Sequence, residues 1–138
     1  MDKFYLDTSI WIDYYENRSD RFRQIGEWAL QFLKIVIKNN WIVIYSELIT
    51  YELLKIFSQE EIIKIFSILA DRGLLKEVNI NYIQRKEAAI LSKEINVPFG
   101  DALHAVLARD NKAILITRDK HFLELLDIAY VKKPEDLI

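Results

Sequence analysis

The chain has 138 residues, 51% of them apolar, with a net charge of −2 and no cysteine. That length buries roughly 70% of the unfolded surface around one core, which fits a single domain over 1–138 and excludes a disordered chain. The absence of cysteine excludes disulfides and thiolate chemistry, and the slight acidity disfavours non-specific wrapping of DNA, though not a site whose acids are masked by cations.

The elements alternate along the chain. A strand is expected over 3–7, ending on Asp7, followed by helices over 9–16 and 20–38. A second strand at 42–45 leads into helices at 47–57 and 59–71, and a third at 74–78 leads into helices at 81–95 and 99–111. The strand at 113–117, a helix at 120–126 and a strand at 128–131 complete the pattern. Three glycines, two prolines and no repeats leave no linker between units. Strands spaced by helices imply βαβ units, hence an α/β fold with a mostly parallel sheet and helices on both faces. Such sheets place ligand sites at the carboxyl ends of the strands and at the helix starts beside them. No uncharged apolar run reaches the roughly 18 residues that span a bilayer. The opening Met1–Asp7 lacks the layout of a signal peptide, so the expectation is a soluble, cytoplasmic protein with no membrane association.

Four acids stand where a carboxylate is locally out of place. Asp7 closes an apolar strand, Glu52 interrupts the apolar side of a helix, Asp101 opens a helix after Pro98-Phe99-Gly100, and Asp119 follows the strand Ala113–Thr117. Asp7 and Asp119 lie at strand ends, Glu52 and Asp101 in the first turns of helices, so all four can face one edge of the sheet. They converge only if something positive sits between them, which points to a divalent metal. By contrast Asp20, Glu27, Glu60, Glu61, Asp71 and Glu87 fall on helical stretches expected to be solvated.

Each acid has a plainer role to weigh. Glu52 falls between Leu48 and Ile56 in an arc with Ile49, Leu53 and Phe57; burying it unpaired costs several kcal/mol, and an Arg or Lys partner is the alternative. Lys55 points away from that arc. Asp7 could cap the next helix, but Thr8 or Ser9 can cap instead. Asp101 would complement a helix dipole for about 0.3–1 kcal/mol, yet its face continues with the small Ala105 and Ala108, which let the helix approach the sheet. Asp119 is a good cap for the helix at 120–126, and Thr117 offers a hydroxyl either to the site or to nearby backbone. His104 and His121 lie close after Asp101 and Asp119. A His–carboxylate metal site is conceivable, but a lone histidine on a helix face is usually structural or exposed. Nucleophilic catalysis has no support: there is no Cys, no Gly-x-Ser-x-Gly elbow and no glycine-rich phosphate loop.

Four segments together resemble the PIN domain family, and within it the small toxins of VapC type. They are Leu6-Asp7-Thr8-Ser9-Ile10-Trp11-Ile12-Asp13, Ser46-Glu47-Leu48-Ile49-Thr50-Tyr51-Glu52-Leu53-Leu54, Pro98-Phe99-Gly100-Asp101-Ala102-Leu103-His104-Ala105 and Ile116-Thr117-Arg118-Asp119-Lys120-His121-Phe122. Each is weak alone; in order, with βα spacing, they span nearly the whole chain. The resemblance implies a three-layer α/β/α sandwich and metal-dependent ribonuclease activity with Mg²⁺ or Mn²⁺ as cofactor. By position, Asp7, Glu52, Asp101 and Asp119 match the family's acidic quartet and Thr117 its hydroxyl residue. Thr8, Arg118 and Lys120 are the candidates for substrate contact, with Lys55 a further cation one turn past Glu52. The implied partners are RNA, a cognate antitoxin and a second copy of the chain. Trp11, Tyr14, Tyr15 and Trp28 are candidates for apolar antitoxin contacts, unless they are core. The competing functions are a stand-alone RNA-processing or DNA nuclease of this fold, and a non-catalytic scaffold that binds RNA or protein.

Overall fold

A computed structural model describes residues 2–19 and 21–138. Strand β1 (Lys3–Leu6) is followed by α1 (Thr8–Glu16) and α2 (Ile25–Lys38), then by β2 (Ile42–Tyr45), α3 (Glu47–Leu54) and α4 (Gln59–Ala70). Strand β3 (Leu75–Glu77) leads to α5 (Tyr82–Ile95) and α6 (Phe99–Asp110), and β4 (Ile114–Ile116) leads through a 3-10 helix (Lys120–Leu125) to β5 (Val131–Lys132). A second 3-10 helix (Pro134–Leu137), begun by a proline whose missing N–H costs nothing at a helix start, was not anticipated from the sequence.

The sheet is wholly parallel, in the order β3-β2-β1-β4-β5. Right-handed crossovers place α1–α4 on one face and α5–α6 on the other. The strands are therefore covered on both sides and read as continuous apolar runs: Phe4, Tyr5, Leu6, Val43, Ile44, Leu115 and Ile116 are all buried. The chain winds away from β1 in both directions, so β1 and β4 flank the switch point where parallel sheets open a crevice. Register sets Tyr5 beside Leu115 and Leu6 beside Ile116, and Asp7 N–H continues the ladder to the Ile116 carbonyl at 2.9 Å.

Helix boundaries follow local chemistry. Ser58 with Glu61, and Asn81 with Gln84, form reciprocal capping boxes that start α4 and α5. Asn17 and Asn96 end α1 and α5 in the left-handed conformation. On α2, Gly26, Ala29, Phe32, Leu33 and Val36 form one buried stripe at helical spacing.

Three expectations need correction. The helix expected over 20–38 begins only at Ile25; residue 20 lies outside the described residues, and Arg21 adopts positive φ (49°), which breaks helical continuity. The strand expected at 128–131 is displaced to Val131–Lys132, because Ile128 and Ala129 still bond back to the Leu125 carbonyl. Residues 120–126 form a tighter 3-10 turn, in which Phe122 N–H reaches the Asp119 carbonyl.

Gly26 has a packing reason. A Cβ there would lie 2.5 Å from Asn17 Cα and 2.6 Å from Arg18 N, because the end of α1 crosses directly over the start of α2. Backbone cannot yield as a flexible side chain can, so Gly26→Ala is expected to destabilise by about 1–3 kcal/mol or more. Chemical denaturation is the measurement, and an unchanged midpoint would contradict this packing.

Candidate metal and nucleic-acid site

Asp7 occupies the N-cap position of α1, where an aspartate ordinarily bonds the backbone of the first turn. Its carboxylate makes no such bond. Instead Asp7 Oδ2 accepts from Ser9 Oγ and from Thr117 Oγ1, each at 2.9 Å, and the residue is 7% exposed. The cap position is therefore occupied and the acid is still aimed elsewhere. Thr117 meets both alternatives raised for it, since its hydroxyl also accepts from Asp119 N–H at 3.1 Å.

Glu52 stands in the second turn of α3, not the first, and is only partly buried. Its partners are neither Arg nor Lys. Glu52 Oε1 accepts from Thr8 Oγ1 at 2.6 Å and lies 2.8 Å from His104 Nε2. Burial pushes the carboxyl up, but the His104 hydrogen bond and charge, the Thr8 hydroxyl and the Lys55 charge outweigh it and hold it below the ordinary range. Lys55 itself lies over the Tyr51 ring. Gly100 gives Glu52 room: a Cβ there would sit 3.3 Å from Glu52 Oε2, so the start of α6 packs directly against this carboxylate.

Asp101 is the third residue of α6, a helix whose residues Ala102–Ala108 are all buried. Ala105 and Ala108 do let it lie close to the sheet. Asp101 Oδ2 is 3.0 Å from His121 Nδ1. Its carboxyl is pushed up to about 6 by burial first, then by the charges of Asp119 and Asp7, with His121 and His104 only partly offsetting them. Burial and neighbouring like charges both disfavour the ionised form, and here they act together. Asp119 Oδ1 caps the 3-10 helix by accepting from His121 N–H at 2.9 Å, and lies 3.2 Å from His121 Nδ1.

The remaining candidates separate clearly. Thr8 is buried and its hydroxyl is spent on Glu52. Arg118 is committed internally: its guanidinium pairs with Glu135 at 2.6 Å, sits 3.9 Å from the buried Asp13, and lies over Trp28. Arg118 also lines the cleft beside Asp119, with its guanidinium engaged by Glu135. Lys120 is exposed and, with Thr117, Asp119, Lys132 and Lys133, lines a cleft beside the acids. Trp11, a candidate for partner contact, is fully buried against Phe66. Tyr15 packs on Phe57, and Tyr14 and Trp28 are half-buried.

Two residues carry more than the sequence suggested. His121 joins Asp101 and Asp119 in a group whose ligand atoms lie within 4.8 Å of one another and could hold a metal ion. His104 is completely buried and its Nε2 sits 2.8 Å from Glu52 and 4.0 Å from Asp7. A spacing signal for His104 existed: it is three residues after Asp101, on the same helical face. The donor set is mainly carboxylate oxygen, which suits a hard divalent ion such as Mg²⁺ or Mn²⁺. A carboxyl such as Asp101, whose ionisation neighbouring carboxylates oppose, is what such an ion would neutralise.

The family model for the PIN domain matches residues 4–126. The chain belongs to the PIN domain family. No curated protein matches it significantly, but solved structures do. One is the VapBC2 complex of Rickettsia felis bound to a DNA fragment from its promoter, with 16% identity, a TM-score of 0.66, and 95% of this chain and 98% of that chain covered. A toxin–antitoxin complex from Klebsiella pneumoniae aligns with 21% identity and a TM-score of 0.65 over 95% and 97% of the two chains. FitAcB from Neisseria gonorrhoeae aligns with 17% identity and a TM-score of 0.65 over 97% and 99%. At such identities these likenesses speak for the fold of this PIN domain, a parallel sheet between helical layers. Among the described residues, no helix is long and apolar enough to cross a membrane.

Proposed function

We propose that this PIN domain is a divalent-metal-dependent endoribonuclease, the toxin of a type II toxin–antitoxin pair, acting in the cytoplasm. The observation that carries this reading is the gathering of Asp7, Glu52, Asp101 and Asp119 at the switch point of the sheet, with Thr117 bonded to Asp7. Asp7 and Asp101 would hold Mg²⁺ or Mn²⁺, and Glu52 and Asp119 would complete the site by taking a second ion, acting through water, or orienting the attacking water. When bound, the ion lowers the pKa of its water and offsets charge developing on the scissile phosphate. The chain's own part is positional. Thr117 and Ser9 fix the Asp7 carboxylate, Thr8 and His104 fix Glu52, and His121 bridges Asp101 and Asp119. Lys120, exposed beside Asp119, meets the RNA backbone. Hydrolysis leaves a 5′-phosphate and a 3′-hydroxyl.

The toxin reading draws on the named toxin–antitoxin complex among the structural likenesses and on surface chemistry. Tyr51, Leu54, Ile56 and Ile63 are exposed along α3, the turn after it and α4, where an antitoxin's amphipathic segment would cover them. We further propose that the protein forms a homodimer. The test is cleavage of a panel of structured RNAs by purified protein with Mg²⁺, Mn²⁺ or EDTA, beside co-purification with the product of an adjacent small gene. Metal-dependent cutting supports the nuclease. A folded protein that neither cuts nor binds metal is a scaffold instead, and cutting without an adjacent antitoxin gene leaves a stand-alone nuclease.

A further inference from the structure

Behind Glu52 runs a chain of buried polar groups drawn from three elements of the fold. Tyr5 on β1, Ser46 at the end of β2 and His104 on α6 are each 0% exposed. Tyr5 OH lies 2.8 Å from Ser46 Oγ and 2.7 Å from His104 Nδ1, and His104 Nε2 lies 2.8 Å from Glu52 Oε1. Burying three polar side chains is costly unless each is bonded, and apolar residues of similar size would fill the same space without that requirement. Ser46 makes the point sharply. It stands at the N-cap of α3, where a serine side chain ordinarily stabilises by about 0.5–2 kcal/mol, yet it makes no cap bond and serves Tyr5 instead.

The directions of these bonds follow from the state of the ring, and a neutral His104 gives one consistent set. A carboxylate only accepts, so the nitrogen facing Glu52 carries hydrogen. In a neutral ring with hydrogen on Nε2, Nδ1 is the lone-pair acceptor, so the Tyr5 hydroxyl 2.7 Å away donates to it. Ser46 then donates to the Tyr5 oxygen.

We propose that Tyr5 and His104 are positioning residues for Glu52: the Tyr5 hydroxyl donates to Nδ1 and fixes the imidazole with its hydrogen on Nε2, and Nε2–H holds Glu52 Oε1. Thr8 grips the same oxygen, so Glu52 Oε2 is left against Gly100, the residue before Asp101. A carboxylate on α3 is thereby locked to the start of α6, and two separate elements of the acid cluster keep one geometry. Partners of this kind behind metal ligands fix ligand orientation, and their loss typically costs about 10–100-fold in metal affinity or activity. The activity arm of the proposal rests on the nuclease reading; the positioning itself does not.

The test compares wild type with Tyr5→Phe, His104→Gln and His104→Leu. It reads histidine ring nitrogens by long-range ¹⁵N–¹H correlation without metal, Mn²⁺ affinity by calorimetry, and kcat and KM on a cleaved RNA. We expect hydrogen on His104 Nε2 in wild type, and in Tyr5→Phe a shifted Nδ1 resonance, because that nitrogen loses its hydrogen-bond donor while Glu52 still holds Nε2–H. Mn²⁺ affinity and kcat should fall about 10–100-fold in His104→Leu, with KM little changed. His104→Gln, whose amide nitrogen can replace Nε2–H, should recover most of that loss. Hydrogen on Nδ1 in wild type, or a folded His104→Leu that binds Mn²⁺ as wild type does, overturns the proposal. So does a folded His104→Gln no better than His104→Leu. Should His104→Leu not fold, Tyr5→Phe, which removes one oxygen, decides through its ring spectrum. A protein that passes the ring and Mn²⁺ arms yet cuts no RNA loses the nuclease reading and keeps the positioning.

Discussion

The double variant Asp7→Asn/Asp101→Asn is expected to lose metal-dependent RNA cleavage by about a thousandfold or more, while its metal-free form becomes harder to unfold. The first half follows from charge: a bound metal contributes several kcal/mol of transition-state stabilisation, and each ~1.4 kcal/mol is tenfold in rate. The second half follows from crowding. Asp101 ionises against Asp119 and Asp7, and a neutral amide removes that repulsion, for a gain of about 1–2 kcal/mol near neutral pH. The amide that Asp7→Asn introduces keeps a carbonyl oxygen for the Ser9 and Thr117 hydroxyls, so the local bonds survive. Excess Mn²⁺ should reverse the order, since wild type gains roughly 2.7 kcal/mol at a hundred times Kd and a variant that cannot bind gains none. Thermal melts with EDTA or Mn²⁺, beside a cleavage assay, check both halves. Wild-type cleavage by the double variant would sink the mechanism; equal melting in EDTA would sink the crowding argument alone.

Much of this architecture was legible because its signals are local. Strand-ending acids and apolar runs depend on a few neighbouring residues, and they place β1, β2, β4, α5 and α6 within a residue or two. The acids could be grouped because a parallel sheet has one functional edge. What was not legible depended on tertiary packing. Nothing local says that Arg21 turns left-handed, so α2 looked four residues longer among those described. Arg118 looked like a free cation beside Asp119 because Glu135 and Asp13, its partners, are distant in sequence. The Glu52 partner was sought as an Arg or Lys, but its partners are a histidine from α6 and a hydroxyl from α1. Even so the spacings held a clue. Tyr5 and Asp7 share a strand face at i and i+2, and Asp101 and His104 share a helix face at i and i+3. A face that brings Asp101 to Asp7 must bring His104 to Tyr5.

The pH dependence of the metal-free protein should run opposite to that of folds stabilised by ionised carboxylates, over a narrow window. Asp101 titrates at about 6 in the folded protein, above its ordinary 3.8. Between those values the folded state holds a proton that the unfolded state has released, so stability falls as pH rises from about 4 to 6. The full shift corresponds to about 3 kcal/mol at 1.36 kcal/mol per unit; with solvent reaching the cleft, about 2 kcal/mol is a realistic size. Glu52 acts in the opposite sense. Held below its ordinary 4.5 by His104 and Thr8 despite burial, it stabilises the fold above that pH and loses this contribution only in more acid solution. Between pH 4.5 and 6 Asp101 therefore sets the sign. Asp13, raised by its own burial, tilts the curve the same way, so the informative control is Asp101→Asn, which leaves Asp13 untouched. Urea denaturation in EDTA from pH 4.5 to 7.5 should show the Asp101→Asn advantage opening as pH rises and levelling above about 6. The same proton competes with metal: Mn²⁺ affinity should drop as pH falls below about 6, approaching tenfold per unit, and hold steady above it. Parallel stability curves for the two proteins would mean that Asp101 is not crowded by Asp119 and Asp7, and the cluster would then have no electrostatic need of an ion.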